Sequence, residues 1–277
     1  MSIKSKIKSI IKNIFNSKKY PVPKMVYSNK LLEGKVALIT GGSSGIGYEI
    51  AKEFIENGCK VIICGRNKSR IEESVKKLGK NSKGLELDIN DVSNIETKIK
   101  EAVKLSDNKE INILVNSAGI GASLSFFDVT EANFDEIMNT NLRGTFFMTQ
   151  KMGDYMKSNN IKGHILNLSS SSALRPAWTP YEISKWGIKG FTIGAADILS
   201  KYGITVNAIA PGPTATPMLN KNEKDNIAIN TNCVKRMSLP SEIATLAVYL
   251  CSDIGEMIVG ETVYITGGAG NIINRFD

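Results

Sequence analysis

The sequence predicts an α/β fold: a doubly wound, mostly parallel seven-stranded sheet with helices on both faces. Three observations carry that prediction. Short apolar runs alternate with amphipathic stretches from Lys35 onward. Several of those runs are apolar at nearly every position, as parallel strands covered on both faces must be. A glycine-rich turn joins the first run to the first helical stretch.

The elements follow in order. In "MSIKSKIKSIIKNIFNSKK" the apolar residues Ile3, Ile7, Ile10, Ile11, Ile14 and Phe15 fall on one helical face, and lysines fill the rest. Lys8 and Lys12 break the apolar centre that a secretory signal needs. Pro21 and Pro23 in "YPVPK" then force an extended linker. Residues 1–32 therefore read as a basic amphipathic arm and linker, and 33–277 as a single dinucleotide-binding catalytic domain. Within the body, "KVALIT" (35–40), "KVIICG" (60–65), "GLELD" (84–88), "INILVN" (111–116), "GHILNLSS" (163–170), "ITVNAIA" (204–210) and "ETVYIT" (261–266) read as strands. Helices are expected at about 45–57, 68–78, 91–105, 131–157, 180–201 and 240–252.

The composition narrows the function. Of the 277 residues 42% are hydrophobic, enough for a sizeable core. The net charge of +8 resides in the first 30 residues, which hold eight lysines and no acid. The other 27 basic residues face 27 acidic ones, so a nucleic-acid-binding face on the body is not supported. The arm suits an anionic membrane surface; a solvated tail or a helix docked on a partner subunit are the competing readings. No run of about 18 apolar residues exists. The cysteines Cys59, Cys64, Cys233 and Cys251 lack CxxC spacing, which points to a reducing cytosol and no metal site. The expected location is cytoplasmic, with a peripheral place at the inner membrane surface if the arm binds lipid. His164, the single histidine, cannot build a Ser-His-Asp triad with spare parts and reads as structural, at a strand start.

"TGGSSGIG" (40–47) follows a strand and opens a helix, the context a phosphate-binding loop requires. Glycine allows the tight turn, and the helix N-terminus favours the pyrophosphate charge. This makes the fold Rossmann-type. After the second strand stands Gly65, then Arg66, where an acid would bind the ribose of NAD. Arginine matches a 2′-phosphate, so NADP(H) is preferred over NAD(H); a solvated loop charge is the plainer alternative.

Tyr181 and Lys185 are i, i+4 on one helix and share a face. A nearby ammonium favours the phenolate and lowers the tyrosine pKa towards acid–base use. Upstream lie Ser169, Ser170, Ser171 and Ser172.

Taken together these motifs resemble the short-chain dehydrogenase/reductase family, over about residues 34–270. Gly41, Gly45 and Gly47 follow its TGxxxGxG spacing, and Tyr181 with Lys185 its YxxxK pair. "NSAG" (Asn116, Ser117, Ala118, Gly119) is similar to its NNAG, with Ser117 for the second asparagine. "NTNLRG" contains Asn141, and "NAIAPGPTATPM" resembles its PG motif. The resemblance implies that Gly41, Ser43, Ser44, Gly45, Ile46 and Gly47 bind the cofactor phosphates. It puts Arg66, Asn67, Asp88, Ile89, Asn116, Ala118 and Gly119 on the adenosine side, and Pro211, Gly212, Thr214 and Thr216 on the nicotinamide side. Tyr181 is then the acid–base group and Lys185 also holds the ribose. A serine orients the substrate oxygen, and Asn141 holds a water linking Lys185 to solvent. Strand register points to Ser170, with Ser169 as the alternative; Ser171 and Ser172 read as turn residues.

The expected reaction is hydride transfer between nicotinamide and a carbonyl or secondary alcohol, as a ketoreductase or alcohol dehydrogenase. A 3-oxoacyl thioester and a sugar or polyol both remain open as substrate. A cofactor-binding regulator without turnover, or a sugar-nucleotide-modifying enzyme, are the alternatives. Substrate contacts are expected from Ile120–Phe126, Leu174–Thr179 with Arg175 and Trp178, and a lid over Met218–Met237. Gly187, Gly190 and Gly194 line one side of a helix that the family commonly pairs between subunits, which implies a homodimer or homotetramer; packing on the sheet is the competing explanation.

Overall fold

The computed structural model describes residues 30–107, 109–121, 124–222, 224–270 and 272. The basic arm, up to Asn29, lies outside them. The seven strands are β1 (Val36–Thr40), β2 (Lys60–Gly65), β3 (Ser82–Glu86), β4 (Ile113–Asn116), β5 (Gly163–Leu168), β6 (Ile204–Pro211) and β7 (Thr262–Ile265). They form one sheet in the order β3-β2-β1-β4-β5-β6-β7. Every ladder is parallel, where a mostly parallel sheet was expected.

Parallel neighbours need crossover helices, and the sequence supplies them. They are α1 (Gly45–Glu56), α2 (Lys68–Leu78), α3 (Ile95–Leu105), α4 (Glu131–Met138), α5 (Thr145–Ser158), α6 (Pro180–Ser200) and α7 (Pro240–Leu250). Two apolar layers result. Ile39, Ile50, Phe54, Ile63 and Ile243 fill the layer under α1 and α7. Leu38, Ile62, Ile99, Leu114 and Met152 fill the layer under α3 and α5. Alternate residues of β1 and β2 serve opposite layers, so these strands are apolar throughout.

Two expectations are corrected. The third strand starts and ends earlier than 84–88, at Ser82–Glu86. The long helix at 131–157 is two helices, because Asn139–Gly144 winds into a π-turn between α4 and α5. Apolar periodicity does not register one wider turn.

The strand order reverses between β1 and β4. A crevice opens there at the carboxyl edge, and it is where ligands bind in sheets of this kind.

Candidate active site

The crevice at the β1/β4 switch holds two cavities that share Gly41, Ala118 and Gly119. The first is about 360 Å³ and runs over the glycine loop to Tyr181 and Lys185. The second is about 190 Å³ and is bounded by Ser43, Arg66, Asn67, Arg70, Asp88 and Ile89. Together they make one elongated groove.

The glycine loop is shaped by close backbone approach. A Cβ on Gly41, whose φ is +66°, would lie 2.8 Å from Ala118 Cα. One on Gly47 would lie 2.6 Å from the Gly41 carbonyl oxygen. Only glycine lets the loop lie against the start of α1, leaving a bare backbone floor there. The first turn of α1 holds no acid, so its N–H groups face the groove without a competing charge. Thr40 fixes the opposite wall, its hydroxyl accepting from Ser117 N and Ala118 N at 3.1 Å each. This arrangement suits a dinucleotide pyrophosphate.

At the other end, a capping box positions Tyr181. Thr179 caps α6, and Glu182 Oε2 accepts the Thr179 backbone N–H at 3.0 Å. Pro180 sets the first helical residue, so Tyr181 is held in the first turn facing the cleft. Lys185, one turn on, is buried, and its Nζ donates to the Leu168 carbonyl at 2.8 Å. That carbonyl, at the end of β5, carries no sequence signal.

Burial pushes the Tyr181 phenol above its ordinary value, opposed by a hydrogen bond with Ser170. Burial also pulls Lys185 down to about 8. This corrects the expectation that the ammonium lowers the phenol. Lys185 Nζ is 5.6 Å from the Tyr181 ring centroid and is engaged with Leu168. Desolvation is the larger effect on both groups.

The two serines diverge at the strand exit. Ser169 Oγ donates to the Lys185 carbonyl at 3.0 Å. Ser170 faces Tyr181, and its Oγ accepts from Ser172 N at 3.1 Å. Ser171 opens a 3₁₀ turn over Ser171–Leu174.

Most of the expected cofactor residues line the groove: Ser44, Gly45, Ile46, Pro211, Gly212, Thr214 and Thr216 in the larger cavity, and Ser43, Arg66, Asn67, Asp88 and Ile89 in the smaller. Gly47 lies behind the loop. Asn116 lines neither cavity: its amide nitrogen donates at 2.9 Å to Thr149 Oγ1 and to Asn167 Oδ1 in the core. Its side-chain amide is therefore a core strut between β4, β5 and α5. Asn141, in the π-turn, clamps the segment after "NSAG". Its Oδ1 accepts from Ile120 N at 2.8 Å, and its Nδ2 donates to Ile120 O at 2.9 Å and Ser184 Oγ at 3.2 Å. Of the substrate candidates, Arg175, Met218 and Leu219 line the larger cavity. Trp178 does not; it is 53% exposed. The expected lid is partly folded, with Ala228 bridging Arg236 and Met237 N donating to Ile227 O at 2.8 Å. Arg70, which also lines the smaller cavity, was missed; it stands one helical turn after Arg66.

The family described as short chain dehydrogenase matches residues 35–227. An acetoacetyl-CoA reductase from Acinetobacter is 34% identical over 85% of this chain and 98% of its own length. A 3-oxoacyl-[acyl-carrier-protein] reductase from Vibrio harveyi is 35% identical over 86% of this chain and 98% of its own. The crystal structure of a 3-ketoacyl-(acyl-carrier-protein) reductase from Brucella melitensis, complexed with NADH, superposes with a TM-score of 0.79. It is 32% identical and covers 87% of this chain and 100% of that one.

Proposed function

The chain belongs to the short-chain dehydrogenase/reductase family and is an oxidoreductase of CH–OH and C=O groups; within that class we propose an NADP(H)-dependent ketoreductase acting on a 3-oxoacyl thioester. The observation that carries the chemistry is the meeting of Tyr181, Lys185 and Ser170 in the cleft that also holds the glycine loop. A bound nicotinamide supplies the hydride. Ser170 donates a hydrogen bond to the substrate carbonyl and holds it against Tyr181. Tyr181, kept protonated by its burial, donates its proton to the carbonyl oxygen as charge develops there. Lys185 holds the ribose hydroxyls and returns a proton to Tyr181. Asn141 keeps the Ile120 segment in place beside them. Asp88 and Ile89 flank the adenosine.

The cofactor preference rests on charge. Arg66 and Arg70 both line the smaller cavity, and no carboxylate stands at the end of β2 to pair with a ribose hydroxyl. Two guanidinium groups suit a 2′-phosphate. The substrate class is supported by the relatives, whose names include thioester reductases, and by the cleft mouth. There Met218 and Leu219 offer apolar contact for an acyl chain, and Arg175 a cation for an anionic carrier. The face of α6 supports a homodimer or homotetramer. The arm, by its sequence pattern, lies on an anionic membrane surface, which gives a cytoplasmic protein a peripheral location.

The experiment is acetoacetyl-CoA reduction followed with NADPH and NADH in parallel, for the wild type and Tyr181→Phe. The wild type should prefer NADPH by at least tenfold in kcat/KM. The variant should bind NADPH with unchanged affinity and lose turnover by roughly a thousandfold. Retained turnover in the variant sinks the mechanism. Equal use of the two cofactors sinks the 2′-phosphate reading, and turnover only on polyols sinks the substrate class.

A further inference from the structure

We propose that the body has a second interaction surface, at the amino edge of the sheet, that docks on an anionic membrane with the active-site cleft facing away. Lys30, Glu33, Lys35, Lys60, Asn81 and Lys109 line a cavity of about 240 Å³ there. Three lysines of the charge-balanced body, Lys35, Lys60 and Lys109, join Lys30 here, with Glu33 in the lining and Asp253 and Asp107 paired to Lys35 and Lys60. The cavity belongs to no part of the catalytic groove, which opens on the carboxyl edge.

The topology explains how the lysines gather. Lys35 immediately precedes β1, Lys60 opens β2, Lys109 comes before β4, and Lys162 is the residue before β5. These strands are neighbours in the sheet, so their starting residues fall side by side. Acids are present: Lys30 pairs with Glu33 at 3.5 Å, Lys35 with Asp253 at 2.8 Å and Lys60 with Asp107 at 2.8 Å. Glu110 is exposed nearby. Lys162 packs its aliphatic stem beside Gly203, where a Cβ would lie 3.0 Å from Lys162 Cγ.

Helix ends add to the same side. Lys104 and Lys157 sit in the last turns of α3 and α5. Helix dipoles favour cations at such ends, and that accounts for these two residues. It does not account for Lys35, Lys60, Lys109 and Lys162, which lie at or before the starts of strands. Lys157 and Lys201 both stand over the Tyr202 ring, at 5.4 and 5.2 Å from its centroid. A partly exposed tyrosine flanked by lysines suits a headgroup layer, where an amphipathic ring and ammonium groups are both favoured.

The partner follows from continuity. The chain reaches this face at Lys30, and the sequence before it, residues 1–29, holds seven further lysines and no acid. A planar anionic surface is the partner that can meet the arm and a broad lysine face together; a compact phosphate would occupy the cavity alone. The proposal shares its lipid partner with the reading of the arm, and the experiment separates the two.

That experiment is flotation of the full chain with phosphatidylcholine vesicles and with vesicles of equal parts phosphatidylcholine and phosphatidylglycerol. Three full-length variants accompany the wild type. One reverses the face (Lys30→Glu, Lys109→Glu, Lys162→Glu). One makes the same charge change on the flank (Lys98→Glu, Lys100→Glu, Lys151→Glu). One reverses the arm (Lys4→Glu, Lys8→Glu, Lys12→Glu). Circular dichroism checks that each is folded. The wild type should float only with the anionic vesicles. A lysine close to such a surface counts for about fivefold in affinity, so the face variant should lose at least tenfold and the flank variant far less. Equal losses in the face and flank variants, or wild-type binding by the face variant, overturn the proposal while the arm reading stands. Unchanged binding by the arm variant with loss in the face variant sinks the arm reading and supports the face. Free inorganic phosphate that displaces the wild type at low millimolar concentration, where chloride does not, would mark a discrete phosphate site and overturn the membrane docking.

Discussion

His164 opens β5 with only 7% of its surface exposed, and its Nδ1 lies 2.9 Å from Thr205 Oγ1. Burial, with help from nearby Lys35, pulls its pKa from 6.5 down to about 4, against a smaller pull from Asp253. The consequence for stability has a definite sign. Above pH 6.5 the ring is neutral in both the folded and unfolded chain. Between 6.5 and about 4 the unfolded chain takes up the proton and the folded one does not, so stability falls as the pH falls. Below about 4 both forms are protonated and this contribution stops changing. Over the whole window the loss is roughly 3 kcal/mol. Melting temperatures of the wild type and His164→Gln, taken from pH 7 to pH 4, check this. The wild type should fall more steeply, and parallel slopes would mean that His164 carries none of the acid sensitivity. Tyr181 and Lys185 obey the same physics: burial works against the charged form of each, which keeps the Tyr181 phenol protonated and makes the Lys185 ammonium a readier proton donor.

β5 and its exit show what an element contributes that a residue cannot. Ser169 and Ser170 are adjacent in sequence and point to different places, because successive residues of an extended chain face opposite ways. Ser169 ties the strand end to the α6 backbone, and Ser170 meets Tyr181. Ser170→Ala should therefore lower turnover by roughly a hundredfold, the scale of a lost oxyanion donor, with little change in melting temperature. Ser169→Ala should do the reverse, costing about 1 kcal/mol of stability and little turnover. Steady-state kinetics and thermal melts on the pair decide it, and a larger turnover loss at Ser169 would exchange the roles. That the two serines face different ways was legible in sequence, because alternation along an extended chain is a local rule. The strands themselves were legible for the same reason, as was Tyr181 facing with Lys185 along one helix. The π-turn was not. Asn139–Gly144 carries no apolar signal that sets a π-turn apart from an unbroken helix; the turn shows in the backbone, and Asn141 on it bonds across to Ile120. The work of the Asn116 amide was hidden for a related reason: its partners Thr149 and Asn167 come from distant elements. The Tyr181 shift also escaped, since burial comes from the whole fold and not from the spacing of two residues.

At the scale of the molecule, α6 poses a question of partners. Gly187 is explained within the chain, because a Cβ there would come 2.8 Å from Leu142 Cδ2. Gly190 and Gly194 are not, since a Cβ on either would meet nothing within 4 Å. Around them Ile193 is 57% and Ile198 61% exposed, and Ile183, Trp186, Phe134 and Phe146 are also uncovered on this helix and on α4 and α5. So broad an apolar face is unusual for a chain that stays alone in water. Glycines with free space above them cost a lone helix about 1 kcal/mol each relative to alanine; against a second helix they permit close backbone approach. The two situations predict opposite outcomes for Gly190→Leu with Gly194→Leu. In a lone subunit the leucines find room and strengthen the helix, so the melting temperature rises and the mass is unchanged. In an oligomer packed through this face they hold the helices apart, and light scattering should show the wild-type assembly falling to a smaller species with lower thermal stability. We expect the second outcome, and an unchanged mass with a higher melting temperature would move the subunit contact elsewhere on the molecule. Because α6 also carries Tyr181 and Lys185, loss of the partner helix should lower turnover as well.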